Sequence, residues 1–448
     1  MQKFLLVVVL TITIAGSALS QAWTPVGGYF NGGINALTSF GGKLYMGGNF
    51  SSYDGNTANF SADFDPNTTT ITPHANVGFT GTTINNLYVN NNASPAMLFA
   101  LGDIKTGTTT AAPANSVAWT AAAATWGDAS YKVSGTADAM AYDVSSSTLF
   151  VGGAFNSGGL SYVGKRVGTA WQAAGSGFNG TVYAMIYYAG TVYAGGDFTL
   201  SGTTACNHLA KWNNSAAKWE AVGTGVNGSV RSMVASNGIL YVGGNFTQAG
   251  TIASRFLVKY DGTKFVAATG SGMSGGTKGI NTMIVSNAKI YIGGDFTQAG
   301  TVVSPYLVRF DGATFTAFNA GLTAPVASIC VINSVLYCGE QALAGGKTYL
   351  KKWDATAFVA TEDTATKAPQ LISYPNPTDG IVYINNTNNT AINMIQIATI
   401  QGSIVSEMTN LAAQNTYEVD LQNYPTGIYI LTCTATDGVR ESCKVVKR

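Results

Sequence analysis

Short apolar runs along this chain end repeatedly in a Gly-Gly-like step, followed by one polar residue and an aromatic one. Aligned on the first glycine position, the copies read LYMGGNF (Gly47), LFALGDI (Leu101), LFVGGAF (Gly152), VYAGGDF (Gly195), LYVGGNF (Gly243), IYIGGDF (Gly293) and LYCGEQA (Gly339). They are 43–54 residues apart, a period that means one supersecondary unit repeated. Residues 230–272 resolve into four predicted strands. Val230 to Ser236 is the first, and Asn237-Gly238 is a type I′ hairpin signal. Ile239 to Phe246 is the second, followed by a polar loop from Thr247 to Ser254. Arg255 to Tyr260 and Lys264 to Ala268 are the third and fourth, joined by Asp261-Gly262. The same order returns at 280–321.

The apolar runs do not alternate. Ile239-Leu240-Tyr241-Val242 is greasy on both faces, so each strand has to be covered on both sides. Four-stranded sheets packed face to face around a ring satisfy this, and the prediction is a seven-bladed β-propeller over residues 21–360. The glycines mark places where backbones crowd or a strand bulges. Trp171, Trp219, Phe265 and Phe315 fall at matching positions and are expected to fill the wedge between sheets. Ala22-Trp23-Thr24-Pro25-Val26-Gly27 resembles the last strand of a unit, as in Lys218 to Gly223, yet precedes the first full unit. Either it completes the last sheet or it lies beside the strand expected at Ala357 to Ala360; the first option is favoured because it removes an open edge.

Composition agrees with an all-β chain. Of 448 residues only 10% are charged, against roughly 25% in ordinary soluble domains, and 54 are glycine. At 46% hydrophobic the chain is not disordered, and a net charge of +1 without a basic block offers nucleic acid no footprint. Residues 1–20 read as a secretory signal: Lys3, an apolar run from Phe4 to Ile14, and small residues at Ala18 and Ser20. The run is too short for a membrane span. The five cysteines form no disulfide framework. In the hairpin at Asn333-Ser334, Cys330 is expected opposite Tyr337, which leaves Cys338 on the other face; Cys433 and Cys443 could bridge only across a three-residue turn.

The repeat resembles those of extracellular bacterial propellers and of the fungal cortical polarity-marker family, through its Tyr-x-Gly-Gly-x-Phe step and the strand from Trp219 to Gly223. That resemblance implies a fold and leaves function open. After a polar linker at 361–370, residues 371–448 hold seven short predicted strands, which suggests a small immunoglobulin-like β-sandwich. This segment resembles the C-terminal sorting domain of the type IX secretion system. The matching residues are Tyr374-Pro375-Asn376-Pro377, Gly380, Gly402, Gly427, Tyr429, and the basic end Lys444 to Lys447. The resemblance implies Sec export, passage across the outer membrane by the type IX machinery, and removal of the domain near the linker. The protein would then be extracellular or attached to surface lipopolysaccharide. Asp363-Thr364-Ala365 resembles the O-glycosylation site of such bacteria, though three residues read more simply as solvated linker.

Catalytic material is sparse. There are 22 acidic residues and two histidines, His74 and His208, in different repeats. No metal-ligand set, nucleophile elbow or phosphate loop is present, so the reading assigns no catalytic residue, metal or cofactor. The best polar series follows the Gly-Gly step: Asn49, Asp103, Asp197, Asn245 and Asp295, broken by Ala154 and Gln341. Such residues could ring a channel and bind a sugar or cation. Repetition at equivalent positions favours turn capping instead, because a structural role recurs and a site is made once. Two functions stay open: a surface module binding glycan or protein, and a polysaccharide-acting enzyme with its site at the channel mouth.

Overall fold

The structure is a computed structural model. It describes residues 23–74, 79–93, 95–106, 116–120, 125–127, 133–268, 272–318, 321–342, 346–353, 371–374, 377–386, 392–399, 404–409, 414, 416–435 and 440–448. The expected signal, the 361–370 linker and the strand at Ala357 to Ala360 lie outside these residues. The chain divides into two compact units, one ending at Ala357 and one beginning at Phe358.

The first unit is built from antiparallel β-sheets. Each of the first six repeats gives one sheet of four strands; in the fifth these are Ser229–Ser236, Ile239–Asn245, Leu257–Tyr260 and Phe265–Ala267, hydrogen-bonded in that order. Asn237 and Gly238 both have positive φ (51° and 71°), as the two-residue hairpin requires. The first strands of the seven sheets are Ile34–Phe40, Phe79–Asn90, Thr136–Asp143, Val182–Tyr188, Ser229–Ser236, Gly279–Ser286 and Val326–Ile332. Each packs against the next, and the last packs against the first.

Thr24–Phe30 is the fourth strand of the seventh sheet, pairing Val26 with Leu350 and Phe30 with Thr348. The N-terminal strand therefore completes the last sheet. Trp23 anchors it, 5.4 Å from Trp353 and 5.9 Å from Phe318 between ring centroids. The loop expected at Thr247 to Ser254 is itself a miniature hairpin, Gln248–Ala249 against Ile252–Ala253, and Gln298–Ala299 against Val302–Val303 repeats it.

The core lies between sheets. One buried cluster joins Tyr193 and Val222 of the fourth sheet to Val230, Val242 and Phe265 of the fifth. Another sets Phe150 of the third against Trp212 and Trp219 of the fourth, with Phe150 and Trp219 edge to face at 5.9 Å. Glycine sets how closely sheets approach. A Cβ on Gly47 would sit 2.3 Å from Cγ2 of Ile84 in the next sheet; on Gly195 it would sit 2.4 Å from Cγ1 of Val230. Gly152, Gly243, Gly293 and Gly339 face Val182, Ile280, Val326 and Ile34 in the same way. At the remaining position Leu101 stands in place of glycine, and the next sheet offers Ala137; both are fully buried in one cluster.

Among the described residues the second unit has seven strands, in a three-stranded sheet (Leu371–Tyr374, Ile381–Asn386, Thr416–Asp420) and a four-stranded one (Ile404–Thr409, Ile392–Thr399, Gly427–Ala435, Arg440–Lys447). They enclose a core of Val382, Ile384, Ile395, Tyr417, Leu431 and Val445. Register sets Cys330 opposite Tyr337, as expected, and Cys433 opposite Glu441 rather than Cys443. All five cysteines are unbridged.

Candidate functional site

The first strands share a local irregularity. In each of the seven, the ladder to the second strand skips a residue at the same place, and in the second sheet it also skips Thr82. The residues skipped at that shared place are Asn35, Asn85, Asp138, Tyr183, Arg231, Asn281 and Ala327. Each occupies the second place of a repeated tetrad: Ile-Asn-Ala-Leu, Ile-Asn-Asn-Leu, Ala-Asp-Ala-Met, Val-Tyr-Ala-Met, Val-Arg-Ser-Met, Ile-Asn-Thr-Met and Val-Ala-Ser-Ile. The first place packs on the preceding sheet's glycine, or on Leu101 in the case of Ala137. The third pairs with the glycine position of its own sheet, as Ser232 does with Gly243. A bulge re-aims the extra residue. All seven line one cavity of about 600 Å³ at the centre of the first unit, where Tyr88, Ser232, Thr282, Ser328 and Gln341 join them.

The wall is organised by hydrogen bonds running around it. Asn35 Nδ2 donates to Thr83 Oγ1 (3.1 Å), Thr83 Oγ1 to Asn85 Oδ1 (3.1 Å), and Asn85 Nδ2 to Asp138 Oδ1 (2.7 Å). Asn86 Nδ2 donates to the Asp138 carbonyl at 2.9 Å. On the far arc the Arg231 guanidinium stacks on the Tyr183 ring at 4.9 Å, and Tyr183 OH donates to Asp197 Oδ2 at 2.7 Å. Asn281 Nδ2 donates to the Val326 carbonyl at 3.0 Å. Asp138 is 8% exposed. Burial pushes its carboxyl up from 3.8 to about 6, against the pull of the Asn85 hydrogen bond, the Ala154 backbone and the Arg231 charge. Burial, then the hydrogen bond and charge of Asp197, raise Tyr183 to about 12. Among the described lining residues Asp138 is the only carboxylate and Arg231 the only cation.

The series after Gly-Gly sits just outside this wall. Asn49 Oδ1 accepts from Gly33 N (2.6 Å), Asp103 Oδ2 from Thr82 Oγ1 (2.8 Å), and Asp295 Oδ2 from the backbone of Thr277 and Lys278 (2.8 and 3.1 Å). Asp197 accepts from Ser229 Oγ as well as from Tyr183. Asn245 is exposed. None of the five lines the cavity, whereas Gln341 does. The lining residues had a signal in sequence: the variable second place of the tetrad lies twelve residues before the glycine position in five of seven copies.

A third cluster has the composition of a catalytic triad without its access. His74 bridges Ser61 Oγ (2.8 Å to Nδ1) and Asp63 Oδ1 (2.9 Å to Nε2), and Lys43 Nζ holds Asp63 Oδ2 at 2.9 Å. Ser61 is fully buried, so the cluster stitches strands together. Burial would raise the Asp63 carboxyl, but its bonds to His74 and Lys43 win and hold it below the usual range. His208 Nδ1 contacts the Gly196 carbonyl, and no metal-binding group of His, Cys, Asp or Glu occurs among the described residues.

In the second unit Lys447 is the main tie. Its ammonium donates to the carbonyls of Gln422 (2.7 Å) and Tyr424. Thr378 N donates to the Val446 carbonyl, and Arg448 N to the Thr378 carbonyl. Gly380 lies where a Cβ would meet Gln422 at 2.5 Å. Tyr429 OH donates to the Pro425 carbonyl at 2.7 Å. Pro377 and Lys444 are exposed, Gly427 is half-buried, and Pro375, Asn376 and Gly402 lie outside the described residues.

Residues 373–448 match the family model of the secretion system C-terminal sorting domain. Residues 166–264 match the Rax2 C-terminal β-propeller domain, and 286–312 a β-propeller domain of unknown function. This is a β-propeller protein with a type IX sorting tail. The tail makes it a client of the type IX machinery, secreted or displayed at the cell surface. No helix among the described residues is long and apolar enough to cross a membrane. No curated protein matches the chain. Solved structures similar to it include the extracellular domain of BT4673 from B. thetaiotaomicron (11% identity, TM-score 0.45, covering 95% of this chain and 59% of that one). The computationally designed Ika8 protein gives 10% identity and a TM-score of 0.42, covering 94% and 99%. The mitotic checkpoint complex gives 11% identity and a TM-score of 0.48, covering 79% and 100%. The chain thus spans 59% of the length of the BT4673 domain.

Proposed function

We propose that this is a seven-bladed propeller displayed outside the cell as a binding module for glycan or protein. One observation carries the reading: seven bulged residues, one per sheet, converge on a central cavity with a polar wall and no pair of opposed carboxylates. A glycoside hydrolase of the usual kind uses two, roughly 5–10 Å apart, and the described lining supplies Asp138 alone. The propeller spans residues 21–360, behind a signal peptide of residues 1–20. The tail is an immunoglobulin-like sandwich; its three-plus-four strand division supports this, as does Tyr429, whose hydroxyl reaches back to Pro425 in the manner of a tyrosine corner. After Sec and type IX export the tail is removed near residues 361–370, and the propeller is released or held on lipopolysaccharide. The test is an array of glycans and extracellular proteins probed with the secreted chain, beside a hydrolysis screen on the same sugars. Saturable binding without turnover is expected, and turnover of any arrayed polysaccharide would overturn it.

A further inference from the structure

Within each tetrad, three places keep their character from sheet to sheet and one does not. The first is Ile or Val (Ala137 apart), the third is small or short and polar, the fourth is Met, Leu or Ile. The second runs Asn, Asn, Asp, Tyr, Arg, Asn, Ala. It is the place skipped by the ladder and facing the cavity. A packing role would make it as uniform as its neighbours. Divergence confined to this place is what a single asymmetric ligand imposes on a symmetric scaffold.

The chemistry of the ring narrows the ligand. Asn35, Asn85, Asn281, Asp138 and Arg231 all end in planar groups with two polar atoms side by side, the geometry that grips adjacent hydroxyls in pairs. One carboxylate and one guanidinium balance, so the wall presents no net charge for an ionic ligand to answer. The relay from Asn35 through Thr83 and Asn85 to Asp138 fixes the amide planes beforehand, which lowers the ordering cost of binding. A volume of about 600 Å³ falls in the range of small-ligand sites.

We propose that the central cavity takes the end of an uncharged saccharide, entering between Asn35, Asn85, Asp138, Tyr183, Arg231 and Asn281. This rests on the glycan-binding reading above and adds the site and the ligand class. The experiment is calorimetric titration of the full secreted chain with neutral mono- and disaccharides, glucuronate and galacturonate, and glucosamine. Arg231→Ala and Asn35→Ala are compared with Asn245→Ala, a residue outside the cavity. Neither Arg231 nor Asn35 is buried, and circular dichroism checks the fold of each variant. A neutral sugar should saturate the wild type and bind at least about tenfold tighter than its uronate or amino counterpart. Arg231→Ala and Asn35→Ala should each weaken it about tenfold, and Asn245→Ala should not change it. A preferred uronate or glucosamine overturns the ligand class. Sugar binding unmoved by both cavity variants overturns the site and leaves the glycan reading standing. No sugar bound in either titration or array removes both.

Discussion

Six of the seven junctions between neighbouring sheets are made one way, and the junction between the second and third is made another. At the six, a glycine faces an isoleucine or valine. At the seventh, leucine faces alanine, the bulk having crossed from one sheet to the other. The six glycines have no positive φ, so backbone freedom is not what selects them. They are selected for space, and space can be supplied from the opposite side. The odd junction also carries the buried carboxylate of the ring, Asp138, next to Ala137 and held by Asn85 and Asn86 across the gap.

All seven tryptophans lie at or before Trp353, so their fluorescence follows unfolding of the first unit alone. The largest effect is expected from Leu101→Gly, which leaves a void against Ala137. Denaturant unfolding should show a loss of about 3–5 kcal/mol; a loss below about 1 kcal/mol would mean the two sheets close up freely and volume exchange is not what shapes the junction. Asp138→Asn comes next, with opposite sign. A carboxyl held near 6 instead of 3.8 costs up to about 3 kcal/mol once ionised. The folded state keeps a proton that the unfolded chain releases, so wild-type stability falls as pH rises from about 4 to about 6. The variant should lack that slope, match wild type near pH 4 and exceed it at pH 7. Equal slopes would show that Asp138 ionises freely.

Gly195→Ala tests an ordinary junction. Its Cβ would meet Val230, and crowding of this kind costs about 1–3 kcal/mol. A neutral result would remove the steric account of the glycines. The smallest effect sharpens the comparison most. Leu101→Gly combined with Ala137→Val rebuilds the common junction at the odd position, and should be more stable than the sum of the single changes by about 1–2 kcal/mol. Strict additivity would deny that the two residues share one space.

Much of this was legible in the sequence. The glycine step, the four-strand unit, the type I′ turn at Asn237-Gly238 and the closing role of the segment after Trp23 are local patterns or copies of patterns. The ring facing the cavity was not. Aligning repeats finds what is constant, and Asn35, Asp138, Tyr183 and Arg231 matter because they are not. The constant polar series drew the eye instead, and Asn49 and Asp295 are engaged with neighbouring backbone amides. The miniature hairpin at Gln248–Ala249 escaped because strands of two residues leave no alternation to read. The cluster of Ser61, Asp63 and His74 escaped because it depends on the register of the hairpin formed by Ser61–Asp65 and Thr70–Pro73, which sets His74 across from Ser61.

Thr24–Phe30 waits for its partner strand, Thr348–Trp353. The Thr348 hydroxyl meets the Gly32 carbonyl across 316 residues of sequence, so the circle is shut only when the two extremes of the propeller find each other. Loop closure over such a span is slow, and until it happens Thr348–Trp353 offers a bare hydrogen-bonding rim that a second molecule could occupy. A molecule trimmed past Phe30 would keep that rim permanently, and its fate would be fibres or swapped dimers.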